Sequence, residues 1–252
     1  MTALRVDLGT VSFNTGPDAD GVSWHIERDG LEGWDSPDVN AEDTPVTGHH
    51  GQAALWALYG GRPLIARGWV EAPTAPKLWA AHARLSSLVP LASPVPLTVY
   101  ETAPKTLAVV QRGKPLIRLG AGPTRLQFSL SVKALSPFKR GASQTVTLAA
   151  GASTTITYAG TWPGAPTITT TGAGTVDIAN TTTSTHVATT IAVPTGTEIV
   201  CAEPGHTVYS GTTNLYSRLV QPVSWLSLAV GANTLTNSGT APVTLTYHDL
   251  YL

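Results

Sequence analysis

The stretch from Thr157 to Gly174, Thr-Tyr-Ala-Gly-Thr-Trp-Pro-Gly-Ala-Pro-Thr-Ile-Thr-Thr-Thr-Gly-Ala-Gly, cannot be helical, and most of the chain after it repeats its pattern. Two prolines and four glycines in so short a span remove donors and leave the backbone too free for a helix. Trp162-Pro163-Gly164 reads as a turn, because proline presets φ and glycine supplies φ > 0. Pro166 to Thr171 then reads as extended, and Gly172-Ala173-Gly174 stops it. Beyond Gly141 short alternating apolar sets such as Val146/Leu148, Thr154/Ile156/Tyr158, Val187/Thr189/Ile191 and Leu245/Tyr247 recur. Their spacing, roughly every 8 to 12 residues with turn signals between, is that of an antiparallel sandwich or barrel. Val230 to Gly239 reads as a strand broken by a turn, Asn180 to Thr185 as a low-complexity loop, and Val243 to Leu252 as a terminal strand.

Residues 1 to about 138 differ. They hold most of the charge, whereas beyond Gly141 there is no lysine and the only charges are Asp177, Glu198, Glu203, Arg218 and Asp249. This places a domain boundary near 136–145, with domains 1–138 and 141–252. Leu4, Val6 and Leu8 alternate with polar residues, as do Val22, Trp24 and Ile26, so both segments read as strands. Leu31 to Val39 and residues 41–52 read as loops. Leu55–Tyr59 and Leu64–Val70 around Gly60-Gly61-Arg62-Pro63 read as a hairpin. One helix is expected near 76–89: Thr74 can cap, Pro76 suits the first turn, and Pro90 stops it. Leu78, Ala81, Leu85, Leu88 and Val89 give it an apolar face. Strands are expected at Val95–Tyr100, Thr106–Gln111 and Thr124–Ala134, the last alternating from Leu126 to Ala134 as in a sheet with one wet face. The fold class is therefore mainly all-β.

A formal net charge of −1 gives no reason to expect nucleic acid or an anionic membrane as partner. The single cysteine, Cys201, excludes an internal disulfide and a cysteine-based zinc cluster, and its apolar neighbours suggest a buried, inert thiol. The N-terminus alternates where a secretory signal would be apolar, and no apolar run reaches the roughly 20 residues of a membrane span. A protein made in the cytoplasm is the expectation.

No chemistry-bearing constellation stands out. His49 and His50 are adjacent, so their side chains diverge and rarely share a metal. Asp35, Asp38, Glu42 and Asp43 form an acidic loop without the alternating Asp/Asn and glycine of a calcium loop. Neither G-x-S-x-G nor H-E-x-x-H occurs, and Gly60-Gly61-Arg62 lacks the Gly-Lys-Ser/Thr of a phosphate loop. No catalytic residue, cofactor or metal is expected. Of the seven tryptophans, Trp24, Trp56 and Trp69 lie in apolar runs and read as core; Trp34 and Trp162 lie in loops, where an exposed indole can stack on a sugar or anchor an interface.

Several segments together resemble the distal tail proteins of long-tailed bacteriophages. They are Leu31-Glu-Gly-Trp-Asp-Ser-Pro-Asp-Val, Gly48-His-His-Gly, Tyr59-Gly-Gly-Arg-Pro with Ile65 to Gly68, the helix, and Ala134-Leu-Ser-Pro-Phe-Lys-Arg-Gly. In the second half they are Tyr158 to Gly172, Leu228-Ala-Val-Gly-Ala-Asn-Thr-Leu and Tyr247-His-Asp-Leu-Tyr-Leu. Ser136 stands where the family usually has Asp before the proline. The resemblance implies an N-terminal β-sandwich or split-barrel domain with one helix, then a galectin-like antiparallel β-sandwich. It further implies a virion protein, assembled in the host cytoplasm, whose copies form a hexameric ring between the tail tube protein and the tail-tip hub. The tape measure protein is a further neighbour on this reading, and DNA passes through the lumen without specific binding. Residues 1–140 are then expected to form the ring, with Trp34, Asp35, Asp38, Glu42, Asp43, His49, Arg62, Arg67 and Arg84 as interface candidates. The acidic loop would face Arg62, Arg67 or Arg84 of a neighbour. The competing expectation is a carbohydrate-binding module, with Trp162 as the glycan or partner contact.

Overall fold

A computed structural model describes residues 4–45, 52–120, 122–202 and 205–252, with the side chains of 42–45 and 52–56 left out. The chain forms two compact units, Met1–Lys139 and Arg140–Tyr251.

The first unit contains β1 (Val6–Leu8), β2 (Val11–Phe13), β3 (Ser23–Glu32), β4 (Val39–Pro45), β5 (Gln52–Tyr59), β6 (Arg62–Glu71), α1 (Ala75–Ser86), β7 (Val95–Tyr100), β8 (Pro104–Gln111), β9 (Leu116–Leu119) and β10 (Arg125–Ala134). One antiparallel strip runs β2-β1-β7-β8-β10-β6-β3, and β9 lies on β10 beside β8. The strip curls until its ends meet: the Asn14 amide donates to the Trp24 carbonyl (2.8 Å), and the Ile26 amide donates to Asn14 Oδ1 (3.1 Å). The result is a split barrel. Alternation explains it, since Leu126, Phe128, Leu130, Val132 and Ala134 are all buried on one face of β10. Phe13 packs on Trp24 and Phe128 with ring centroids 6.2 and 5.7 Å apart.

Helix α1 contributes Leu78, Ala81 and Leu85 to this core. It ends at Ser86, earlier than expected; Leu88 and Val89 are buried beyond its last turn. Thr74 sits at the N-cap, but its side chain makes no capping bond.

Two expectations fail here. The apolar runs around Gly60-Gly61 are strands β5 and β6, yet they do not pair with each other. β5 pairs with β4 in a separate two-stranded sheet, whereas β6 pairs with β3 and β10. The glycines let the chain swerve between sheets: a Cβ at Gly61 would lie 2.6 Å from the Ala134 carbonyl oxygen. The supposed loop at 41–52 is in part strand, because β4 continues to Pro45 and β5 starts at Gln52.

The second unit contains β11 (Lys139–Leu148), which begins at the unit boundary, and then β12 (Ser153–Tyr158), β13 (Thr167–Thr170), β14 (Asp177–Asn180), β15 (Thr185–Ala188), β16 (Thr197–Val200), β17 (Thr207–Ser210), β18 (Thr213–Asn214), β19 (Gly231–Asn237) and β20 (Val243–Tyr251). One sheet runs β18-β17-β16-β13-β20-β11 and the other β12-β19-β14-β15. Buried side chains of both, including Ile168, Ile199, Leu245, Ile178, Val187 and Leu235, form a common core. The abundant threonines have a use on the wet face, where Thr155 and Thr234 hydroxyls meet across β12 and β19 at 3.2 Å.

Three local readings are corrected. Gly231–Asn237 is one uninterrupted strand. Residues 181–184 are a tight turn joining β14 to β15, tied down by Thr183 Oγ1 donating to the Ser227 carbonyl (3.1 Å). Trp162 to Gly164 is a crossing rather than a tight turn: Trp162 bridges to Leu250 and Gly164 to Leu228. Cys201 is buried, and burial pushes its thiol up to about 12, so it stays protonated and unreactive.

Buried asparagines brace the second unit. Asn237 is fully buried; its Nδ2 donates to the carbonyls of Ala149 (3.1 Å) and Ala241 (3.0 Å), and its Oδ1 accepts from the Gly239 amide (3.1 Å). Replacing Asn237 with leucine keeps the volume but removes these bonds from the Ala241 carbonyl and the Gly239 amide, while the Ala149 carbonyl keeps only the Ala152 amide (3.1 Å). The expected cost is roughly 2–3 kcal/mol, read as a lower urea midpoint at unchanged slope.

Candidate assembly surface

At Ile26 strand β3 departs from regular pairing with β6 and regains it at Leu31. This bulge lifts Glu27, Arg28 and Asp29 into solvent and opens a cleft of about 590 Å³ in the split of the barrel. Leu4, Val6, Ile26, Leu31, Trp34 and Val99 supply its apolar lining; Glu27, Arg28, Asp29, Glu32 and Asp35 supply charge. Gly33 keeps the return path close to β6, with φ +82 and a notional Cβ only 2.1 Å from the Pro63 carbonyl oxygen.

Trp34 is the node under this cleft. It is 6% exposed. Its indole Nε1 donates to Glu101 Oε1 (2.6 Å), its carbonyl accepts from Arg62 Nη1 (2.7 Å), and Lys139 Nζ lies 5.1 Å from its ring centroid. Arg62 is fully buried, and its Nε donates to the Pro137 carbonyl (2.8 Å). Its Nη2 is the one buried side-chain polar atom without a partner among the described residues. Burial holds the Arg62 guanidinium below its usual range, opposed by the charge of Asp35; burial and the nearby Arg62 do the same to Lys139.

Burial by itself would raise Glu101. Hydrogen bonds from Lys105 (2.6 Å) and Trp34, with the charges of Lys105 and Lys139, outweigh it and hold the carboxyl below the usual range. A depressed folded value means the stabilisation is present above the unfolded value of about 4.3 and lost as pH falls through the folded one. Melting temperature should therefore fall as pH drops below about 4, and Glu101→Gln should show a shallower fall. Equal slopes in calorimetry at a series of pH values would contradict this role.

The candidates fall into five groups. Trp34 and Arg62 are buried, so both brace the unit from inside, with Trp34 also contributing to the lining of the cleft. Arg67 pairs with Glu32, and Arg84 with Asp18 (3.2 Å) and the Thr10 carbonyl, so both cations are used within the chain. Pairing of a neighbour's acidic loop with Arg62, Arg67 or Arg84 is thus disfavoured. Asp35 and Asp38 are exposed. Glu42 and Asp43 lie on β4, but their side chains are outside the description, and His49 lies outside the described residues. Trp162, in the second unit, is 38% exposed and donates its amide to the Leu250 carbonyl. The reading from sequence missed Glu27, Asp29 and Glu32, placed together by the bulge, and strand β9 altogether. No group of three or more His, Cys, Asp or Glu that could hold a metal occurs among the described residues.

No protein-family model matches the chain, and no curated protein is significantly similar to it. Among solved structures it is similar to the SPP1 Dit protein, described as a paradigm of the hub adsorption apparatus in phages infecting Gram-positive bacteria. The alignment covers 99% of this chain and 100% of that one at 16% identity, with a TM-score of 0.73. It also aligns with a chain of the phage P2 baseplate in its activated conformation, at 8% identity over 97% of this chain and 98% of that one, with a TM-score of 0.47. The likeness to the SPP1 protein shows that the two share a fold from end to end.

Proposed function

We propose that this chain is a distal tail protein of a long-tailed bacteriophage: a structural subunit whose copies close into a hexameric ring joining the tail tube to the tail-tip hub. The observation that carries the reading is the end-to-end match with the SPP1 Dit fold, with neither unit left over. Fold alone does not confer function. The ordered motifs of the sequence and the cleft in the first unit support the same reading. The ring acts by geometry and catalyses nothing. Fixed contacts relay attachment from tip to tube, and a lumen lets DNA pass. Its neighbours are the tube protein, the hub protein and the tape measure protein, and its place is the virion tail tip after assembly in the host cytoplasm. Electron microscopy of virions labelled with a nanobody against this protein tests the reading. Label at the distal end of the tail agrees with it; label on the head or along the whole tube contradicts it.

The exposure of Trp162 supports a second reading, in which the galectin-like second unit binds cell-wall carbohydrate. Glycan binding by the full chain, lost on Trp162→Ala with the fold intact, would favour it.

A further inference from the structure

We propose that the first unit associates head to tail, the basic edge strand β9 of one copy seating in the acidic, apolar-lined cleft of the next. The proposal rests on the ring-forming reading and names its contact.

Charge is sorted along the sequence of this unit. Twelve of the sixteen acids lie at or before Glu101, and from there to Asp177 the chain has no acid but eight basic residues. The fold consumes part of that charge: Lys105 pairs with Glu101, Arg125 with Glu71, and Lys139 is buried on Trp34. Arg112, Lys114 and Arg118 are exposed and form no ion pair among the described residues. They lie on or just before β9, whose single partner strand among the described residues is β10. Leu116 and Leu119 on the same strand are 56% and 58% exposed. An unpaired strand edge studded with cations and leucines is a docking element whose charges discourage indiscriminate pairing.

The cleft answers it in kind. Glu27, Asp29 and Asp35 outnumber the one cation of the lining, Arg28, over an apolar floor, and Leu4 at its rim is 54% exposed. The strand order β3-β6-β10-β9 puts the two patches on opposite sides of the β6–β10 pair. A cyclic assembly needs this arrangement, in which one patch meets a different patch on the neighbour. Opposite charge would steer the encounter and set the register, while burial of the leucines would hold the contact. Nucleic acid would satisfy the cations but not the leucines, so a second copy is the better occupant.

Charge exchange in the full chain tests the contact. An Arg112→Glu/Arg118→Glu variant and a Glu27→Lys/Asp29→Lys variant should each dissociate at least tenfold more readily than wild type in light scattering. Mixed one to one they should reassemble, because each then offers the patch the other lacks. The milder Arg118→Gln should weaken assembly and flatten its salt dependence, and melting curves show whether each variant is folded. A wild-type assembly indifferent to both reversals, or a mixture that stays dissociated, overturns the contact while leaving the ring reading standing. Normal assembly of the arginine variant with lost binding to a DNA duplex would assign the strip to nucleic acid instead. A wild-type chain that is monomeric throughout defeats contact and ring together.

Discussion

Gly68→Ala is expected to lower the melting temperature of the first unit by roughly 10–15 °C, a loss on the order of 3–4 kcal/mol. Gly68 lies on β6 opposite Ile26, the last paired residue of β3 before its bulge. A Cβ there would sit 1.8 Å from the His25 carbonyl oxygen and 2.8 Å from the Phe128 ring. Neither neighbour can yield cheaply. His25 is held by ladder bonds and by stacking on Trp69 with centroids 4.9 Å apart, and Phe128 is wedged against Phe13. The strand must move away, and the cleft it frames would widen with it. Differential scanning calorimetry of the full chain reads the effect; an unchanged melting temperature would mean that β3 is not seated on β6 as described.

Leu85→Asp should be comparably severe, at about 3–5 kcal/mol. Leu85 is 1% exposed at the centre of the buried face of α1, among the apolar side chains of the first core. A carboxylate there would have neither solvent nor a cation to compensate its lost hydration. Leu85→Met, which keeps volume and polarity, should cost less than about 1.5 kcal/mol. Urea titrations of both variants separate the two causes. A tolerated aspartate would place this face in contact with solvent.

Much of the architecture was legible because binary patterning carries it. The alternation from Leu126 to Ala134 and the Thr-rich second half translate directly into one-sided strands. Pairing was harder to read. Leu55–Tyr59 and Leu64–Val70 look like hairpin partners because they are adjacent, yet the residues paired with β6 lie 33 to 48 positions upstream and 54 to 72 downstream. Short-range turn signals cannot report such long-range hydrogen bonds. The candidate assembly surface was only half visible for the same reason. Composition marks the acidic stretch, but only tertiary structure shows that Trp34 and Arg62 are buried and that Arg67 and Arg84 are taken up internally. β9 is short, and its leucines face solvent rather than a core, so it lacks the burial pattern by which strands are recognised. The absence of acids between Glu101 and Asp177 was the available signal for it.

Native mass spectrometry of the purified chain, with negative-stain microscopy of the same sample, decides whether its copies close into a ring. A closed oligomer of six copies of the 26.2 kDa chain is expected, seen end-on as a ring with a central opening. A monomer at every concentration, or an open-ended series of oligomers without closure, would contradict it.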